Sequence, residues 1–283
     1  VKIGLIDLDN TGFPNLALMK LSAWHRRRGE EVCFNFPLSE ADITFVSCVF
    51  PQNRHKLPAL DHVMLGGTGF DVLNTTASYG FTSRGCIRHC PWCVVPAKEG
   101  NIKPHASIYE FWDRKHRDII LLDNNLLASP NWRTTLRDLH KEKLRVDFNQ
   151  GLDIRLVDEE KANCLAKLKY RKQLRFAFDD IRLEKEFRRG MEILKNVGIT
   201  LSSVMIYFLI GFNSSLDEDL ERLKIIKSYK ATPFAMRYQE VNSVKAPVYR
   251  SDRELHEFAR WVDLPHGFYK HIPFTEWLKI RGL

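Results

Sequence analysis

YGFTSRGCIRHCPWCVVPAKEG, residues 79–100, places Cys86, Cys90 and Cys93 within eight positions of a chain that has only six cysteines. Three thiols at C-x3-C-x2-C spacing form a soft donor set, one short of the four that structural thiolate sites use. A structural zinc site would need a fourth ligand, and only His89 stands close by. A catalytic zinc site accepts three ligands and a water. An all-thiolate triad in that role belongs to base deaminases, however, and no H-x-E precedes the Pro-x-Cys of Pro91 to Cys93. An iron–sulfur cube on three cysteines would leave one iron open to a substrate or cofactor. Spacing alone leaves these alternatives open.

Downstream of this loop the sequence alternates strand-like and helix-like segments. RDIILLDNN (117–125), LRVDFNQGLDIR (144–155), KQLRFAFDD (172–180), SSVMIYFLIGFN (202–213) and TPFAMRYQEVN (232–242) read as strands. Amphipathic segments such as NWRTTLRDLHKEK and EKEFRRGMEILKNVG separate them. Such alternation predicts a parallel sheet, and about six units in a row predict an α/β barrel or partial barrel. Chemistry in that architecture gathers at the C-terminal strand ends, where this chain places DNN, NQGLDIR, FDD, GFN and RYQE.

Residues 1–78 read as a small Rossmann-like α/β unit, with strands at VKIGLIDLD, EVCFNFP and ADITFVSCVF around the helix PNLALMKLSAWHRRRG. A further strand runs into the glycine turn GGTG (66–69), and the HRRR cluster at 25–28 suits a helix C-terminus. Residues 79–242 form the barrel-like part. Residues 243–283, basic and aromatic, are expected to close its open edge as a helical segment.

Hydrophobic residues make up 44% of the 283 and charged ones 28%, enough for a sizeable core under a polar surface. Lys and Arg exceed Asp and Glu by 43 to 35, a modest bias toward an anionic partner. VMIYFLI (204–210) is too short to cross a bilayer, and the N-terminus does not read as a signal peptide. The expectation is a cytoplasmic protein with no membrane partner. Cys33, Cys48 and Cys164 read as buried apolar residues rather than ligands.

Taken with Trp92 just before the last cysteine, the motif Cys86-x3-Cys90-x2-Cys93 resembles the defining loop of the radical SAM superfamily. The resemblance extends from about Tyr79 to Asn242. It implies a (βα)6 partial barrel and a [4Fe–4S] cluster on Cys86, Cys90 and Cys93. The open iron would be chelated by S-adenosylmethionine. One electron, from a donor such as flavodoxin or ferredoxin, would then cleave the cofactor to a 5′-deoxyadenosyl radical. Carried over position by position, it implies cofactor contacts at Trp92, at Asp123, Asn124 and Asn125 in place of the family's Gly-Gly-Glu, and at Gln150, Asp153 and Arg155. Phe212, beside the adenine, and Arg237, toward a carboxylate or the substrate, complete that set. Asp179 and Asp180 are left to helix N-capping as much as to the site, and Arg88 and His89 to cluster tuning or plain solvation.

The N-terminal unit is similar to those of methylthiotransferases and cobalamin-dependent members. It lacks the former's three extra cysteines and the latter's D-x-H-x-x-G loop. The substrate expected from this layout is a nucleobase or nucleoside, either a free modified purine of the queuine type or a base within tRNA, handled by a lyase or modifying transferase. A peptide side chain as substrate, and a non-catalytic iron–sulfur or zinc module, are the alternatives.

Overall fold

The structure is a computed structural model that describes all residues except 12–14, 35–40, 58–62, 68–77, 113, 115, 240–250, 265–266 and 283. The chain divides into two compact units, Val1–Thr76 and Ala77–Leu283.

In the first unit β1 (Lys2–Asp7), β2 (Glu31–Phe34), β3 (Ile43–Ser47) and β4 (Val63–Gly66) form a wholly parallel sheet of order β2-β1-β3-β4. Alternation along β1 sends Ile3 and Leu5 to a cluster with Leu18 of α1 (Leu16–Arg27), while Ile6 joins Leu8, Val46 and Cys48 in another. Asn15 caps α1, and His25, Arg26 and Arg27 occupy its last turn, where cations meet the negative helix end. The far half of the GGTG turn and the end of the EVCFNFP strand lie outside the described residues.

The second unit carries the remaining strands in three sheets. β5 (Tyr79–Gly80), β8 (Asp118–Leu121), β9 (Arg145–Phe148) and β11 (Lys169–Tyr170) make one parallel sheet of order β11-β9-β8-β5. β10 (Leu152–Asp153), β12 (Leu174–Ala177), β13 (Val204–Ile210) and β14 (Thr232–Arg237) make a second, ordered β10-β12-β13-β14. β6 (Ser83–Arg84) and β7 (Lys103–Pro104) form a two-stranded antiparallel ribbon. Two short helices, α2 (Val95–Glu99) and α3 (Ile108–Phe111), precede β8. The strands expected to form a (βα)6 partial barrel lie in two parallel sheets. The strands keep the expected order, but their pairing is interrupted between β9 and β12. A buried ion pair, Asp147 of β9 with Arg175 of β12, occupies that interruption, and Arg175 also donates to the Phe148 carbonyl at 3.5 Å.

Helices α4 (Trp132–Lys141), α5 (Glu159–Ala166), α6 (Glu184–Asn196) and α7 (Leu216–Ser228) follow β8, β9, β12 and β13. Each presents an apolar stripe, as α4 does with Trp132, Thr135, Leu136 and Leu139 at i, i+3, i+4 and i+7. β13 alternates between fully buried Val204, Ile206, Phe208 and Ile210, facing this layer, and half-buried Met205, Tyr207 and Leu209 on the other face. Each fully buried aliphatic or aromatic side chain contributes about 1.5–3 kcal/mol. α8 (Asp252–Asp263) packs on β14, with α9 (Phe274–Ile280) behind it, so both belong to the second unit. Among the described residues no helix is long and apolar enough to cross a membrane.

Candidate functional site

The cysteine loop is closed at its base by the β6–β7 ribbon, in which Ser83 faces Pro104 and Arg84 faces Lys103. Gly85 turns the chain into the loop at φ +80°, where a Cβ would stand 2.2 Å from the Asn101 carbonyl oxygen. Only glycine meets both demands. Within the loop the Cys93 N–H donates to the Cys90 carbonyl at 3.0 Å, and α2 follows. Glu99, at the end of α2, then ties the loop to its base. Its carboxylate accepts Arg84 Nε and Nη2 at 3.0 Å each, the Gly85 N–H at 2.9 Å and Asn124 Nδ2 at 2.8 Å. Burial alone would raise the Glu99 carboxyl, but Arg84 and the Gly85 N–H outweigh it and hold it below its usual range.

Strand exits from both parallel sheets converge on this loop. After β8, Asp123 turns inward and accepts five hydrogen bonds from the backbone and hydroxyls of Thr82 and Ser83, at 2.5–3.1 Å. Asn125 is buried. Its Nδ2 donates to Cys86 Sγ at 3.4 Å and lies 3.5 Å from Asp153 Oδ2, while its Oδ1 has no hydrogen-bond partner among the described residues. Asp153, at the end of β10, receives Arg155 through Nε (2.6 Å) and Nη2 (3.0 Å), and Arg88 through Nε (3.0 Å). Burial would raise this carboxyl too, yet Arg155 and then Arg88 hold it below the usual carboxylate range, so it stays ionised. Beyond β12, Asp179 accepts the Leu209 N–H at 2.9 Å. Beneath it Arg222, fully buried and paired with Asp219, donates to the Phe178 and Leu209 carbonyls at 3.2 and 2.7 Å.

Between these elements lies a cavity of about 230 Å³, walled by the three cysteines, Trp92 and the exits of β8, β10 and β12. Two sulfurs receive backbone donors, Cys86 from the Arg88 N–H at 3.3 Å and Cys93 from the Val95 N–H at 3.4 Å. Burial pushes the Cys90 and Cys93 thiols up and the neighbouring thiols add to it; Arg155 opposes this at Cys90 and the Val95 N–H at Cys93. Ionised sulfur here therefore calls for a positive charge to balance it. Among the described residues no three His, Cys, Asp or Glu side chains already stand as a site for a single metal ion. The soft donors, their N–H···S bonds and the orphaned Asn125 Oδ1 suit a larger group that takes each sulfur separately and offers an N–H donor to the amide.

Of the residues expected from sequence, Cys86, Cys90, Cys93, Trp92, Asn124, Asn125, Gln150, Asp153 and Arg155 line this cavity. Asp123, Phe212 and Arg237 do not. Asp123 spends its acceptors on Thr82 and Ser83. Phe212 is buried behind Trp92, edge to face at 5.6 Å, and meets Tyr238 edge to face as well, at 4.8 Å. Arg237 lines a second, more open cavity of about 640 Å³ that shares the Trp92 wall. Arg155 has two of its guanidinium nitrogens engaged by Asp153. Arg88 is not a solvated loop residue but part of the same pair.

Two further residues join the site, one of them left open by the sequence. Asp179 is one; the neighbouring Asp180 takes the capping role, accepting the Arg182 N–H at 2.9 Å. The doubled acid at a strand exit is the signal the sequence offers for it. Glu99 is the other, and only its nearness to the cysteines marks it. Of the remaining cysteines, Cys48 is buried and Cys33 and Cys164 are half-buried.

No family model matches this chain, and no curated protein matches it either. Among solved structures it is similar to the crystal structure of Streptococcus suis SuiB bound to S-adenosylmethionine, at 14% identity and a TM-score of 0.47. The alignment covers 65% of this chain and 46% of that one, so the chain spans less than half of its neighbour. A likeness of that size carries no argument about fold or function.

Proposed function

We propose that this chain is a radical SAM enzyme acting on a nucleobase or nucleoside. One observation carries the reading: a single cavity at the C-terminal ends of parallel strands gathers all three thiols of the C-x3-C-x2-C loop beside a buried amide oxygen without a partner among the described residues. Cys86, Cys90 and Cys93 hold a [4Fe–4S] cluster in this reading. Asn125 and Asp179 serve as acceptors for the ammonium and hydroxyl groups of S-adenosylmethionine. Bound there, cluster and cofactor supply one-electron cleavage of a C–S bond and the hydrogen abstraction that follows.

The protein's own part is positioning and charge balance. Glu99 and Arg84 fix the loop at its base, while Arg88 and Arg155, held by ionised Asp153, place positive charge next to the sulfurs. Trp92, braced by Phe212, forms the wall that separates the thiol-lined cavity from the second one. The electron comes from an external donor such as flavodoxin or ferredoxin.

Anaerobic reconstitution tests the reading. The expected product binds roughly four iron atoms per chain and, once reduced with S-adenosylmethionine, releases 5′-deoxyadenosine. Protein fully loaded with iron that never cleaves the cofactor, with any reductant or nucleobase, overturns it.

A further inference from the structure

The second cavity lies along the edge strand β14 and helix α8, one indole away from the cysteines. One wall is apolar: Phe234 and Met236 are 38% and 45% exposed on the strand face away from buried Pro233 and Ala235. The same cavity is lined by Asp263, the last residue of α8. Its Oδ1 accepts the Ala235 N–H at 2.8 Å, and Oδ2 has no partner among the described residues. Arg260, one turn earlier, is directed to Glu257 at 3.7 Å and does not neutralise it. A carboxylate at a helix C-terminus faces the negative end of the macrodipole, and burial without a cation adds to that cost. Acids kept in such places are candidates for binding roles, because only a ligand's N–H groups repay them. An aromatic ring and a carboxylate lining one cavity suit a flat ring with adjacent donors along one edge.

We propose that this cavity is the base subsite: the Asp263 carboxylate accepts the amino and imino N–H groups of a 2-amino-4-oxo pyrimidine edge, the guanine type, while Phe234 stacks on the ring. This assignment rests on the function proposed above, and it places the base against the indole of Trp92 that lines both cavities. It also narrows the substrate class. Adenine presents a ring acceptor to the carboxylate and is rejected, and a 6-oxopurine without the 2-amino group loses one of two donors.

Calorimetric titration of the intact, reconstituted protein with 7-deazaguanine and with its 2-desamino analogue tests the subsite. The desamino analogue is expected to bind roughly tenfold to a hundredfold more weakly, the value of a hydrogen bond to a charged group. Asp263→Asn, which keeps an acceptor for the Ala235 N–H, is expected to erase that discrimination, and Phe234→Ala to weaken both ligands alike. The subsite is wrong if the two bases bind equally, if Asp263→Asn leaves the preference intact, or if a simple amidine such as benzamidine binds as tightly as 7-deazaguanine. Cofactor cleavage by the unaltered protein without any base reports separately on the radical reading. A protein that cleaves the cofactor and ignores bases refutes only the subsite, and one that binds bases but never cleaves refutes only the reaction.

Discussion

Asp263 gives a quantitative handle on the fold as well as on the ligand. Burial pushes its carboxyl from 3.8 up to about 7, only partly opposed by the Ala235 N–H. At about 1.4 kcal/mol for each tenfold change in proton affinity, ionising this group in the folded chain costs about 4 kcal/mol relative to the unfolded one. The folded value is the raised one, so the folded state holds the proton more tightly. The contribution of this group to stability is therefore highest below about pH 4, falls as pH climbs toward 7, and is level above that. Asp263→Asn removes the charge while its carbonyl still accepts the Ala235 N–H. The variant is expected to match the parent at pH 4 and to exceed it at pH 8 by roughly 2–4 kcal/mol, a gain of about 4–16 °C in Tm for a domain of this size. Thermal and urea melts from pH 4 to 9, followed by tryptophan fluorescence, measure it. A variant that is less stable than the parent at pH 8, or that keeps the parent's pH slope, refutes the argument.

Other perturbations test other parts of the structure. Gly85→Ala forces a methyl group against the Asn101 carbonyl at a left-handed φ; a loss of about 2–4 kcal/mol and poor iron loading are expected, measured by melts and iron analysis. Arg222→Met leaves the buried Asp219 without this cation and costs about 3–5 kcal/mol, whereas Asp219→Leu with Arg222→Met removes the uncompensated charge and costs less, the remaining loss coming from the Phe178 and Leu209 carbonyls that Arg222 serves; urea unfolding of the single and double variants distinguishes them. Glu99→Gln weakens the clamp on Arg84, and its signature is a shifted electron paramagnetic resonance spectrum of the reduced cluster at unchanged iron content. Cys93→Ala is expected to abolish iron binding, while Cys164→Ala leaves it intact and costs about 1 kcal/mol or less.

The order of elements in the second unit is readable from sequence because it depends on local periodicity. β13 alternates strictly and α4 repeats every three to four residues, so each announces itself. What depends on distant partners is not readable. Asp147 and Arg175 look like ordinary polar positions in two separate strands; that they meet and split the sheet requires knowing that β9 and β12 are neighbours. The strand expected over 117–125 ends at Leu121, because Asp123 leaves the ladder to hold Thr82 and Ser83, forty residues away. β6 and β7 are two residues long and include a proline, so no pattern marks them. Within the site, the cysteines and the polar exits are legible as residue types at expected places. Their division between two cavities is not, since it is set by which way Trp92 and Phe212 pack. Asp263 carries one faint sign, an acid in the last turn of a helix, where a cation is the favoured residue.

The interruption between β9 and β12 has a mechanical consequence. Backbone hydrogen bonds stiffen each sheet but do not cross that line, where an ion pair and side-chain packing stand in for them. The thiol-lined cavity opens over the same line, with Asn124 and Asn125 on one bank and Asp153 and Asp179 on the other. A molecule gripping both banks acts as a rivet: it supplies the cross-tie that the backbone omits, and binding then tightens the whole second unit rather than its own pocket alone.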